Sequence, residues 1–228
     1  MPTPVTEHRS LLQAAEEAVA RIAPGATLMV GGFGLVGAPL TLIEALCASP
    51  TVGDLTVISN NLGEPGRGLG RLLLDGKVRK AVGSYFTSNP DVVRAYAEGR
   101  LEVDLLPQGT LSEAIRAGGA GIGGFYTKTG LGTALAEGRD ERVIRGERYV
   151  FHESLHADVA LVRARYADEL GNLVYAKTAR NFNPDMATAA DLVIAEVDEI
   201  VPVGRLDPEA IVTPHLFVDA LVLKGDRS

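Results

Sequence analysis

The feature that most constrains this chain is an apolar strand that runs into a cluster of glycines and then into a helix. Thr27 to Val30 reads as a short strand, Val30-Gly-Gly-Phe-Gly-Leu-Val-Gly-Ala-Pro39 follows, and Leu42, Ile43 and Leu46 recur behind it at helical spacing. Pro39 suits the first helical turn, where a missing N–H costs nothing. The same unit recurs. Leu55 to Ser59 is a β-branched strand ending in Asn60-Asn61 and the loop Leu-Gly-Glu-Pro-Gly-Arg-Gly68, after which Leu69 to Leu74 reads as a short helix. Val78 to Tyr85 and Leu101 to Leu106 are further strands, with a helix over Asp91 to Ala97 between them. Thr110-Leu-Ser-Glu113 fits a capping box, which predicts a helix starting there. Alternation of this kind predicts an α/β fold with an open, mainly parallel sheet covered by helices on both faces.

Outside that region the signals differ. Leu11, Leu12, Ala15, Val19 and Ile22 predict an opening helix, ended by Pro24-Gly25. Gly118 to Gly132 is too rich in glycine for regular structure, and backbone is expected to approach something closely there. Arg142 to Ile144 and Arg148 to Phe151 flank a hairpin turn. Val159 to Arg163 and Leu173 to Ala176 form another pair, and Leu192 to Glu196 and Phe217 to Leu223 are late strands. The C-terminal half is therefore strand-rich. With no linker-like composition, residues 1–228 are expected to form one domain.

Composition excludes some functions. A net charge of -7 with no Lys/Arg run argues against a nucleic-acid or acidic-membrane partner. The stretch from Ile22 to Ile43 carries no charge, but its five glycines and two prolines are incompatible with an unbroken lipid-facing helix. The first ten residues lack a basic region followed by an apolar core, so a cytoplasmic location is expected. Cys47 is the single cysteine, which forbids an intrachain disulfide. On an apolar helical face it is expected to be a buried, inert thiol.

Two motifs invite chemistry that their context does not support. Gly32-x-Gly34-x-x-Gly37 matches a dinucleotide-binding turn, which wants an acidic residue at the carboxyl end of the next strand. Ser59-Asn60-Asn61 stands there instead, and Asp54 precedes the strand. Four glycines beside an uncapped helix start still favour an anion- or backbone-binding loop. His152-Glu-Ser-Leu-His156 matches the zinc-protease motif, which requires a helix. Its flanks are strand-like, and on extended chain the two rings would stand roughly 13 Å apart, so no metal site is expected. His8 and His215 have no metal-like partners in sequence.

No nucleophile elbow or phosphate-binding loop is present, and no acid/base pair is evident. What the parallel sheet gathers at its carboxyl edge is a glycine loop, Asn60-Asn61 and Gln108. Neutral amides donate hydrogen bonds without locking a carboxylate into an ion pair. One donor aimed at charge developing on an acyl group contributes roughly 3 to 4 kcal/mol to a rate.

The run Gly25 to Pro39 resembles the first signature of family I coenzyme A transferases. So do Ser59-Asn-Asn61, Leu106-Pro-Gln-Gly-Thr-Leu111, Ile115-Arg-Ala-Gly-Gly-Ala-Gly121, Phe125-Tyr-Thr-x-Thr-Gly130 and Ala179-Arg-Asn-Phe-Asn-Pro184, in order along the chain. The resemblance is to A (alpha) subunits of the 3-oxoacid type. It implies a partner B subunit, in a heterodimer or an α2β2 heterotetramer, whose glutamate attacks an acyl-CoA and carries CoA as a glutamyl thioester. That would account for the missing nucleophile. It implies contact between CoA, a substrate and not a resident cofactor, and Gly31, Gly32, Phe33, Gly34, Leu35, Val36 and Gly37. It further implies that Asn60, Asn61 and Gln108 orient the acyl group and short carboxylic acid substrates. Gly123-Gly124, Lys128 and His215 depart from the succinyl-CoA:acetoacetate pattern, leaving acetate–acetoacetate, butyrate and 3-oxoadipate types as alternatives. A stand-alone module sensing CoA esters is the alternative of another class.

Overall fold

A computed structural model describes residues 10–225. The amino-terminal stretch judged for a secretory signal lies almost wholly outside them, and His8 entirely so. The main sheet runs β11 (Ala220–Leu223), β10 (Ala190–Val201), β8 (Ala157–Asp168), β1 (Thr27–Val30), β2 (Leu55–Ile58), β3 (Val78–Gly83), β4 (Glu102–Leu105). Every neighbouring pair along that path is parallel, and only β9 (Leu173–Val174) runs antiparallel, against β8. This is the expected open parallel sheet, and the strand-rich C-terminal half extends it.

Strand alternation divides the core into two layers. Leu28 and Val30 of β1 join one layer with Leu42 and Leu46 of α2 (Leu40–Ala48), Leu72 of α3 (Leu69–Leu74) and Val92 of α4 (Pro90–Ala97). Met29 faces the other way, towards Leu111 and Ile115 of α5 (Gln108–Gly119) and Met186 of α6 (Asn183–Thr188). β8 and β10 are each twelve residues long, whereas β1 stops at Val30 opposite Leu161. Both therefore overshoot β1 and wall one side of the space above its carboxyl end.

Three elements differ from expectation, each for a packing reason. The opening helix is only α1 (Ala15–Val19), because Leu11 to Gln13 lies extended along β11. Gln13 N donates to Leu221 O at 2.9 Å and Leu221 N to Leu11 O at 2.8 Å, which covers an otherwise open sheet edge. The helix assigned to a capping box at Thr110 instead begins at Gln108 after Pro107. Glu113 cannot serve as the reciprocal cap because it pairs with Arg116 at 2.7 Å. Gly118 and Gly119, expected to be irregular, are helical. A Cβ at Gly118 would stand 1.9 Å from Leu155 O and one at Gly119 2.1 Å from Thr188 Oγ1, so these glycines let α5 pack closely. Beyond them β5 (Gly124–Thr127) joins β7 (Glu147–Glu153) and β6 (Glu141–Ile144) in a small antiparallel sheet that contains the expected hairpin.

Candidate functional site

Because β1 to β4 are parallel, their carboxyl ends share one crest, where ligands of open α/β sheets bind. Asn60 follows β2 and is almost fully buried; its Nδ2 donates to Gln108 Oε1 at 3.1 Å and faces Ser84 Oγ at 3.5 Å. β3 lies between the strands that carry these two amides, so the contact has to pass over Gly83-Ser84. Space there is tight: a Cβ on Gly83 would stand 2.3 Å from Ser59 O. The backbone N–H groups of Ser84 and Tyr85 both donate to Asn60 O at 3.2 Å, which fixes Asn60 from behind. Gln108 is exposed, and engagement of its oxygen leaves the Nε2 donor for a ligand. Asn61 stands apart from the pair, with its Oδ1 accepting from Gly63 N at 3.2 Å in a local turn.

The glycine stretch is a tight hairpin. Phe33 and Val36 exchange two backbone hydrogen bonds of 3.0 and 3.2 Å, with Gly34 and Leu35 at the turn and Gly34 at a φ of +60°. Phe33 and Val36 are about half exposed, at 51% and 53%, whereas Gly31 and Gly32 are buried. The glycines at its base are required by the chain's own packing. A Cβ on Gly31 would stand 1.9 Å from Asn183 Oδ1, and one on Gly37 2.3 Å from Ala179 O. Asn181 Oδ1 accepts from Gly32 N at 3.1 Å, Asn181 Nδ2 donates to Val36 O at 3.0 Å, and Asn183 Nδ2 donates to Gly37 O at 3.0 Å. The hairpin is joined to β2 through Ser59 Oγ, which donates to Val30 O at 2.8 Å. Sequence reasoning gave Ser84, Asn181 and Asn183 no role. The pair Asn181-x-Asn183 was the available signal, since two amides in a short loop can satisfy several backbone groups of a neighbouring loop. It also missed a second hairpin of the same form after β2, where Glu64 and Arg67 exchange backbone bonds of 3.3 and 3.0 Å. The two hairpins lie close together: a Cβ on Gly68 would stand 2.9 Å from Leu35 Cδ2.

One expectation is overturned at the start of α2, which is not uncapped. Pro39 precedes the helix as its cap residue, and Glu196 Oε2 accepts from Thr41 N at 2.8 Å and Leu42 N at 3.3 Å. Those donors are occupied by a carboxylate of the same chain and cannot hold a pyrophosphate or another anion. Asp54 lies before β2, at the opposite edge of the sheet, 3.5 Å from Arg79. A dinucleotide turn therefore lacks both of its electrostatic elements.

Of the two histidines of His152-Glu-Ser-Leu-His156, one lies near the end of β7 and the other in the short loop before β8, so neither is on a helix, as expected. His152 is buried in β7 with neither ring nitrogen hydrogen-bonded, its ring 6.1 Å from that of Phe125, and burial pushes its pKa below the usual histidine value. His156 is half exposed, 3.9 Å from Asp191. Among the described residues no three His, Cys, Asp or Glu side chains cluster as a metal site. Cys47 is half-buried, not fully so; partial burial and then Asp75 push its thiol up to about 11. No described helix is long and apolar enough to cross a membrane.

The model of the family described as Coenzyme A transferase matches residues 12–224. The A subunit of succinyl-CoA:3-ketoacid coenzyme A transferase from Xanthomonas campestris pv. campestris (strain B100) is 53% identical over 204 residues, covering 90% of this chain and 84% of that one. The A subunit of 3-oxoadipate CoA-transferase from Pseudomonas putida is 49% identical over 207 residues, covering 90% and 89%. Among solved structures, the acyl-CoA transferase YdiF of Escherichia coli O157:H7, in a thioester complex with CoA, superposes with a TM-score of 0.88 at 24% identity. The match covers 96% of this chain and half of that longer polypeptide, and it is a likeness of fold.

Proposed function

The chain belongs to the coenzyme A transferase family, and from that premise we propose that it is the A subunit of a 3-oxoacid CoA-transferase. It works in the cytoplasm as one domain, in a heterodimer or α2β2 heterotetramer with a B subunit. The complex moves CoA from succinyl-CoA to acetoacetate, and CoA is a substrate with no resident cofactor. The B subunit contributes the glutamate that attacks the thioester and carries CoA.

The observation that carries this reading is the Asn60–Gln108 pair, a buried amide holding an exposed one at 3.1 Å on the crest. Its free donor suits an acyl oxygen that gains negative charge as the partner's carboxylate attacks. Asn61 borders the same crest, and the exposed tip Phe33 to Val36 offers apolar surface and backbone to the acyl-CoA. In this arrangement Gly31 and Gly37 act indirectly, by letting the hairpin sit tightly on Asn183 and Asn181, and Gly32 through its N–H on Asn181 Oδ1.

The test is to purify the chain alone and with a B-type partner, and to follow acetoacetyl-CoA formation from succinyl-CoA. Transfer by the complex and by neither chain separately is the expected result. Transfer by this chain unaided would overturn the proposal. The relatives at 53% and 49% identity are named for different acceptor acids, so 3-oxoadipate is the second acceptor to assay.

A further inference from the structure

The loop that meets acyl-CoA in the proposed function is anchored from the far side of the sequence. α2 has no side-chain cap of its own, because Pro39 occupies the cap position and its first turn contains no acidic residue. Ordinarily Ser, Thr, Asp or Asn at that position would satisfy the first free N–H groups. Here the cap comes from Glu196, in the middle of β10 and 1% exposed. Its Oε2 takes Thr41 N and Leu42 N, while its Oε1 accepts from Arg163 Nη1 at 2.9 Å. Arg163 also donates from Nη2 to Asp198 Oδ1 at 2.6 Å, and Lys224 Nζ lies 3.7 Å from the same carboxylate.

Arg163 links the two ends of the hairpin's support. Its side chain holds Glu196 against the start of α2, and its backbone N donates to Asn183 Oδ1 at 2.8 Å. Asn183 in turn donates to Gly37 O. Only Gly37, Ala38, Pro39 and Leu40 separate Val36 from Thr41, and within that span Leu40 N donates to Ala38 O at 3.0 Å. A shift of Thr41 therefore has little slack to absorb it before it reaches the exposed tip. A local cap would stabilise α2 alone, whereas a buried carboxylate on β10 fixes where α2 begins relative to the sheet.

We infer that Glu196 is a positioning residue for acyl-CoA: held by Arg163, it fixes the start of α2 and through it the Phe33–Val36 tip. The link to acyl-CoA rests on the proposed function; the mechanical part does not. The side chain lines a cavity of about 470 Å³ together with Leu35, Gly37, Gly68 and Arg163, and its own hydrogen bonds go to Thr41, Leu42 and Arg163.

The test compares Glu196→Leu, Glu196→Gln and Asp198→Asn in the full chain by amide-resolved hydrogen exchange, then in the complex with the B subunit by steady-state kinetics. In Glu196→Leu, exchange at Thr41, Leu42, Phe33 and Val36 should rise by about tenfold or more, the scale of one lost charge-assisted hydrogen bond. Exchange in α5 should stay unchanged. KM for acyl-CoA should rise about tenfold with kcat within about threefold, as for lost ground-state positioning. Glu196→Gln keeps one acceptor oxygen in place of the two that serve Thr41, Leu42 and Arg163, so it should show a smaller, intermediate rise in both exchange and KM. Asp198→Asn removes a neighbouring charge but keeps an acceptor oxygen for Arg163 Nη2, and should leave exchange at Thr41 within about twofold. Faster exchange at Thr41 and Leu42 with Phe33, Val36 and KM unmoved would overturn the inference, leaving Glu196 a helix cap. If Glu196→Leu fails to fold, Glu196→Gln decides, since an intermediate rise at both Thr41 and Val36 supports the link and a rise at Thr41 alone refutes it. A wild-type complex that transfers no CoA would remove the proposed function, while the exchange result would still judge the mechanical link.

Discussion

Replacing Asn183 with Ala should be among the most damaging single changes outside the apolar core. The side chain is fully buried. Its Oδ1 accepts from Arg163 N at 2.8 Å, and its two Nδ2 hydrogens are shared among Gly37 O at 3.0 Å, Ala179 O at 3.1 Å and Asn181 Oδ1 at 3.2 Å. The substitution strands Arg163 N because β1 ends at Val30 and offers that N–H no strand partner. It strands the Gly37 carbonyl as well, while Ala179 O keeps its hydrogen bond from Asn181 Nδ2 at 3.2 Å. Each of the two orphaned buried groups costs about 1–3 kcal/mol, and partial access of water to the loop brings the sum to roughly 2–4 kcal/mol. For a chain of 228 residues this corresponds to a fall of about 5–12 °C in Tm. Urea unfolding followed by far-ultraviolet circular dichroism measures it. A loss below about 1 kcal/mol would show that the loop does not depend on these bonds. A double-mutant cycle sharpens the test. The Cβ of Gly31→Ala meets Asn183 Oδ1 at 1.9 Å, so that change should be severe in the wild-type background and mild alongside Asn183→Ala. Additive effects would refute the assigned contact.

Gln108→Ala should lower kcat of the assembled transferase by about 10²–10³ while unfolding and binding to the B chain stay as in wild type; unchanged turnover would make Gln108 a helix-entry residue only. His152 tests the buried, unpartnered imidazole. Because burial lowers its folded-state pKa, the unfolded chain takes up a proton that the folded chain resists once pH falls below about 6.5, so stability declines on acidification. His152→Phe should therefore lose less stability than wild type between about pH 7 and pH 5 in denaturant titrations, and equal losses would contradict this. The Cys47 thiol, pushed up to about 11, should alkylate slowly at neutral pH, with a rate still rising at about pH 10; a plateau at about pH 8 would show an ordinary exposed thiol.

Local rules were enough for the first half of the fold. Thr27–Val30, Leu55–Ile58 and Leu69–Leu74 fall where apolar periodicity and glycine punctuation place them, because each element follows its own residues with little outside help. They were not enough where partners are remote. Leu11 and Leu12 have helical spacing but lie along β11, since an open sheet edge offers hydrogen bonds that a short isolated helix cannot match. Gly118 and Gly119 look irregular in sequence yet are helical, because their missing side chains make room for Leu155 and Thr188, more than 30 residues downstream.

The candidate site divides in the same way. Sequence by itself determined that the glycine loop, Asn60-Asn61 and Gln108 come to one edge, because parallel strands must all end on the same side. Only the tertiary structure decided that Asn60 and Gln108 pair, that Asn61 turns into its own loop, and that the hairpin is held by Asn181, Asn183 and Glu196. Those contacts span 48 to 155 residues, apart from the local turn at Asn61. Hydrogen bonding depends on position and angle in space, and spacing along the chain carries almost no information about either once the backbone has folded back on itself.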